Sequence, residues 1–156
     1  MKTRPLDRID RQILRILQQD GRIANVDLAA RVNLSPPPCL ERVRRLEREG
    51  YILGYRAELD PERLGCSLLI YVTITLDRTT TDVFTRFAGA INEIPEVLEC
   101  NMVAGGFDYI IKLRCADMAA YRSLLGDCLA TLPGVLQTHT YVVMDEVRRD
   151  GALPLD

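Results

Sequence analysis

Three consecutive prolines, Pro36 to Pro38, stand directly before an arginine-studded helical pattern, and they leave the chain few choices at that point. Proline lacks the amide proton that a continuing helix needs, and it pushes the residue before it out of the helical basin. A helix start tolerates the run, because the first N–H groups of a helix have no intrahelical partner. The prolines therefore head a helix. The short polar connector before them, Asn33-Leu34-Ser35, is then a turn between two helices.

The same logic extends the pattern in both directions. Leu6 to Gln19 places Ile9, Ile13, Ile16 and Leu17 on one helical face, with Asp7 as cap, Asp10 three residues on, and Asp20-Gly21 as the stop. A second helix, NVDLAARV, starts at an expected Asn25 cap and buries Val26, Leu28, Ala29 and Val32. The proline-headed helix ends near Glu49, with Gly50 beyond it. Three short helices with a tight turn between the second and third describe a helix-turn-helix.

After Gly50 the pattern changes. YILGYRAEL (51–59) looks extended and Asp60-Pro61 turns the chain. Strands follow at 68–76, 97–104, 108–115 and 137–147, with helices at 82–94 and 117–132 and a Gly105-Gly106 hairpin turn. The order strand-helix-strand-strand-helix-strand is a split βαβ, or ferredoxin-like, arrangement. The expected fold class is α+β, divided into a helix-turn-helix at 1–50, a strand linker at 51–65 and a ferredoxin-like domain at 66–156.

Charge follows this division. Residues 1–50 hold 11 Lys/Arg against 7 Asp/Glu, and residues 51–156 hold 9 against 15. A basic head of +4 suits phosphate, and an acidic body of −6 does not. No apolar run approaches the roughly 20 residues that span a bilayer, and MKTRPLDRIDRQ has no signal-peptide pattern, so intracellular residence is expected. The five scattered cysteines form no C-x-x-C pair and His139 is the one histidine, so reduced buried thiols are expected and no metal site. The lone histidine also argues against an enzyme, as does the lack of a phosphate-cradling loop. Asp145 and Glu146, adjacent near the last strand, should point to opposite faces, which is poor geometry for a carboxylate pair.

On the third helix, Leu40, Val43 and Leu46 cluster on one side, with Cys39 near them. The opposite side centres on Pro38, Glu41 and Arg45, flanked by Arg42, Arg44 and Arg48. An arginine-rich outer face on the second helix of a helix-turn-helix suits major-groove docking, with guanidinium forks reaching guanine edges or phosphates. The plainer alternative is a solvated face with Glu41 paired to Arg44 and Arg45. Ser35 would ordinarily cap the helix through the N–H groups of positions 37 and 38. Both are proline, which leaves its hydroxyl for Cys39 N–H or a DNA phosphate. The expected DNA-contact set is Ser35, Pro37, Pro38, Glu41, Arg42, Arg44, Arg45 and Arg48.

With these residues laid out, the chain resembles the Lrp/AsnC (feast/famine) family of bacterial transcription regulators. The resemblance runs through DRIDRQIL (7–14), DGRIANVDLAARVNLSP (20–36), PCLERVRRLEREG (38–50), SLLIYVTITL (67–76), FDYIIK (107–112), DMAAYRSLLG (117–126) and LPGV…TYVVMDEV (132–147). It implies a winged-type helix-turn-helix joined to a ferredoxin-like effector domain, homodimers assembling to octamers on double-stranded DNA, and a cytoplasmic, nucleoid-associated protein. It further implies an amino-acid effector, leucine or another, rather than a cofactor, bound between neighbouring dimers near AGGFD (104–108). Positions matching the family's leucine-response residues are Met102, Gly105, Asp108, Met118, Tyr141, Val142 and Val143, with Gly106 beside them. Glycine N–H groups can approach a carboxylate, Asp108 can pair with an ammonium, and the methionines and valines can enclose an apolar side chain. The plain alternative is a Gly-Gly hairpin with core methionines. Two positions depart from the pattern: Pro37 stands where the family commonly has threonine, and Gly106 stands where leucine-responsive members have an acidic residue. The competing function is an architectural DNA-bending protein without a ligand.

Overall fold

The computed structural model describes residues 4–149 and 151–155. The chain forms two compact units, Met1–Glu58 together with Arg148–Asp156, and Leu59–Val147.

The first unit, the head, contains α1 (Arg8–Gln19), α2 (Asn25–Arg31) and α3 (Pro36–Arg48). Asp7 Oδ1 accepts from Asp10 N at 2.8 Å and Asp10 Oδ2 accepts from Asp7 N at 3.0 Å, a reciprocal capping box that fixes where α1 begins. The cap of α2 differs from expectation. Ala24 is the N-cap, and Asn25 is the first helical residue. Its Nδ2 instead donates to Pro36 O at 2.9 Å, so the amide ties the start of α2 to the start of α3. Val26, expected in the core, is 64% exposed, since it lies on the side of α2 away from buried Leu28, Ala29 and Val32.

The turn between α2 and α3 closes by backbone hydrogen bonds, with Leu34 packed against the head's core. Asn33 takes φ 55, Leu34 N donates to Ala29 O at 2.9 Å and Asn33 N to Ala30 O at 3.3 Å. This is a Schellman closure with asparagine in the left-handed position. The end of α3 repeats it: Gly50 takes φ 76, Tyr51 N donates to Leu46 O at 2.9 Å and Gly50 N to Glu47 O at 3.0 Å. Ile13, Leu14, Leu28, Ala29, Val32, Cys39 and Leu46 form the head's core. Each fully buried Leu or Ile among them contributes roughly 1.5–3 kcal/mol.

The segment after Gly50 is not a strand. Residues 52–60 make no ladder with any described strand. Asp60 Oδ1 instead accepts from Glu62 N at 3.0 Å and organises the turn that follows.

The second unit contains β1 (Leu68–Leu76), α4 (Thr81–Ile91), β2 (Val97–Met102), β3 (Tyr109–Cys115), α5 (Met118–Asp127), a 3-10 turn at Leu129–Thr131 and β4 (Val135–Val142). The sheet order is β2-β3-β1-β4 with every neighbouring pair antiparallel, which is the ferredoxin-like arrangement. Ile70, Val72, Ile74 and Leu76 share a core with Tyr109, Ile111 and Leu113 and with Val83, Phe87, Ile91, Tyr121 and Leu124 of the two helices. Alternation puts Tyr71, Ile110, His139 and Tyr141 on the opposite face.

Several boundaries differ from expectation for physical reasons. The helix expected to Leu132 stops at Asp127, because Cys128 leaves helical geometry at φ −120, ψ −65. The strand expected at 137–147 lies at Val135–Val142, because its ladder follows β1 from Leu76 to Ile70. Val143 N still donates to Leu69 O at 3.0 Å. Asp145 and Glu146 therefore lie beyond the strand, and Glu146 Oε1 sits 2.5 Å from Arg114 Nη2.

Candidate nucleic-acid interface and effector site

The start of α3 has an unusual inventory of polar groups. With prolines at its first three positions, the first amide available is Cys39 N, which donates to Ser35 O at 3.3 Å. Helix starts commonly hold phosphates through free N–H groups, and the first three positions of this one have none to offer. Ser35 is exposed, and its hydroxyl does not cap α3. Contacts to an anion at this end fall mainly to side chains.

The arginines of α3 divide into two pairs. Arg42 Nη1 donates to Asp7 Oδ2 at 2.6 Å and to Asp10 Oδ1 at 2.8 Å. Arg45 Nη2 lies 2.5 Å from Asp10 Oδ2. The Asp10 side chain is fully buried and that of Arg45 is 16% exposed, so this cluster is the ionic seam between α1 and α3. Arg42 holds the Asp7 carboxyl at about 2, helped by the Asp10 amide. Arg44 instead stands outside, 56% exposed, 3.3 Å from Glu41, and Arg48 is exposed one turn on.

Sequence spacing expected all four arginines on one DNA-facing side. The structure revises that grouping: Arg42 and Arg45 turn inward to a buried acid, while Pro37, Pro38, Glu41, Arg44 and Arg48 form the exposed ridge. Asp10 is the residue that sequence reasoning missed as a partner. Its place on the Ile9-Ile13 side of α1 was the available signal, since an acid there must find a cation.

In the sensing unit the expected effector residues fall at two ends of the sheet. Met102 pairs with Tyr109, and Asp108 Oδ2 accepts from Leu76 N at 2.7 Å, which puts both beside the end of β1, next to Gly105 and Gly106. Asp108 thus already spends one carboxylate oxygen on the sheet. Val142 pairs with Ile70 and Tyr141 with Tyr71, and Val143 follows at the start of β1. Met118 begins α5 just after Cys115, which pairs with Leu68. From Ile70 to Leu76 the strand covers about 20 Å, so one small ligand on one chain cannot touch both groups. Met102, Met118 and Tyr141 are 56%, 46% and 55% exposed, so they are not core residues.

The thiols divide too. Cys39 and Cys115 are buried, and burial pushes both upward from the ordinary thiol range. Cys66 departs from the expectation of buried cysteines and is exposed. No group of three or more His, Cys, Asp or Glu stands together as metal ligands among the described residues. Nor is any helix among them long and apolar enough to cross a membrane.

Comparison with known proteins bears on both sites. A winged helix-turn-helix DNA-binding profile matches residues 6–52, and the Lrp/AsnC ligand binding domain matches residues 69–153. The leucine-responsive regulatory proteins of Salmonella typhimurium and Escherichia coli K12 are each 57% identical over 155 residues, spanning 97% of this chain and 94% of theirs. A Neisseria meningitidis transcriptional regulator, solved as its L-Met complex, is 36% identical with a TM-score of 0.92 over 97% of both chains. An AsnC family transcriptional regulator from Agrobacterium tumefaciens is 33% identical with a TM-score of 0.91, over 96% of this chain and 97% of its own. The head, the sheet and both matches point one way: the chain belongs to the Lrp/AsnC family of amino-acid-responsive, DNA-binding transcription regulators, and is not an enzyme.

Proposed function

We propose that this regulator reads DNA with the exposed ridge of α3, using Ser35, Glu41, Arg44 and Arg48 on a ridge stiffened by Pro37 and Pro38, while Arg42 and Arg45 hold the ridge in place. The division of the arginines by Asp10 carries this reading. The prolines stiffen the approach and leave base and phosphate contacts to side chains. The test is salt dependence. In a dimer, Arg44→Ala should lower the slope of log affinity against log salt by about 2, one phosphate per protomer. Arg45→Ala should leave that slope unchanged. The reverse result would return Arg45 to the phosphate contacts.

The effector in this proposal is an amino acid with an apolar side chain, in the class of leucine or methionine. Support comes from the leucine-responsive relatives, from the L-Met complex of the Neisseria neighbour, and from the exposure of Met102 and Met118. Because the two residue groups are a strand length apart, a complete site takes Met102, Gly105, Gly106 and Asp108 from one copy and Met118, Tyr141, Val142 and Val143 from another. The protein would act as a homodimer assembling toward octamers, in the cytoplasm at the nucleoid. The sheet face carrying Tyr71, Ile110 and Tyr141 is the surface offered to a second copy. A thermal-shift screen against the twenty amino acids, with sedimentation in parallel, tests this half. A binder at 100 times its dissociation constant adds about 2.7 kcal/mol to folded stability. Stability, mass and DNA affinity all indifferent to every amino acid would favour the ligand-free architectural alternative.

A further inference from the structure

The residues after Val147 group with the head, although the chain reaches them from the sensing unit. Two side chains of α1 hold them there. Leu153 N donates to Gln18 Oε1 at 2.7 Å, and Gln18 Nε2 donates back to Leu153 O at 3.3 Å. One carboxamide thus satisfies both backbone groups of a single residue, as a neighbouring strand would. One turn earlier on α1, Arg15 Nη2 donates to Leu155 O. Leu155 itself packs against the head's apolar core, while the Leu153 side chain is 72% exposed. Pro154, between the two anchors, has no N–H to leave unsatisfied and restricts the segment to an extended path.

We propose that residues 151–155 are a strap that fastens the DNA-binding head at a second point. The chain passes between the two units at Glu58–Leu59 and again at Val147–Arg148. A unit held by one linker can swivel about it. A second anchored crossing leaves it less freedom, and the freedom removed before DNA binding need not be lost during it. Recognition of the tail is mainly through its backbone, so Gln18 and Arg15 are the receptor residues on α1.

The linker itself reports on the strap. Arg56 and Arg63 lie exposed in it and are trypsin sites. In the full-length protein, a stop after Val147 should raise the rate of cleavage at these two arginines by about fivefold or more, with Gln18→Ala intermediate. Amide exchange in the C-terminal half of α1 should speed up in both variants. Unchanged cleavage and exchange in both would overturn the proposal. So would faster cleavage that merely tracks a lowered melting temperature of the head, since the tail would then be only part of its core. Neither measurement involves an effector, so failure here is separable from failure of the amino-acid reading.

Discussion

Asp10→Ala removes the centre of the ionic seam, and the structure fixes what is left behind. Arg42 keeps Asp7 at 2.6 Å, so it is not abandoned. Arg45 loses its one ion-pair partner among the described residues while its side chain stays 16% exposed, and the Asp7 amide loses its acceptor at 3.0 Å. Removing one partner of a buried pair typically costs 3–5 kcal/mol, and half a capping box about 1 kcal/mol. Partial access of water to Arg42 and Arg45 offsets some of this, which leaves about 3 kcal/mol. That is a large share of the roughly 5–15 kcal/mol that keeps a domain folded. Urea unfolding at pH 7, followed by far-ultraviolet dichroism, should show the loss. Hydrogen exchange should place it in α1 and α3 rather than in the sheet. A companion variant, Asp10→Leu with Arg45→Met, replaces the pair by apolar groups and should recover to within about 1 kcal/mol of the parent. A loss below about 1 kcal/mol for Asp10→Ala would show that the seam is solvated and that Arg45 is free to serve DNA.

Further outcomes follow from other contacts. Asp7 is depressed to about 2 in the folded head, so its contribution is fully present above about pH 4 and fades as pH falls through 2. Its side chain is 37% exposed, so screening reduces that contribution to about 1 kcal/mol. The difference between parent and Asp7→Asn in urea midpoint should shrink from pH 5 to pH 2. Gly134→Ala places a Cβ 2.5 Å from Val83 Cγ1 at φ 77 and should cost about 2–3 kcal/mol, read by thermal unfolding of the sensing unit. A Cβ at Gly106 meets nothing within 4 Å, so with Gly106→Asp stability should hold within about 0.5 kcal/mol while the ranking of amino-acid effectors shifts in the thermal-shift screen. Pro37→Ala should change DNA affinity by less than about 1 kcal/mol in a fluorescence-anisotropy titration, because the ring stiffens but does not read.

The sequence by itself determined most of the elements, though not the segment after Gly50 or the ends of α5 and β4. Proline, Gly50 and the Asp7/Asp10 spacing act within a few residues, so the limits of α3, the capping box of α1 and the nine residues of β1 were all legible before any fold was known. The strand-helix order likewise announced the ferredoxin-like unit, and the charge asymmetry announced the head. Only the tertiary structure decided which partner each polar group finds. Helical spacing put Arg42 and Arg45 on the outer side of α3, but a buried carboxylate on a different helix draws them inward. The family resemblance also gathered Met102 and Tyr141 into one site, while sheet register sets them at opposite ends of β1. The tail shows the same limit: nothing near Leu153 says that Gln18, distant along the chain, will hold it. Local backbone preferences are encoded in neighbours, whereas pairing of charges and amides depends on which surfaces the fold brings together.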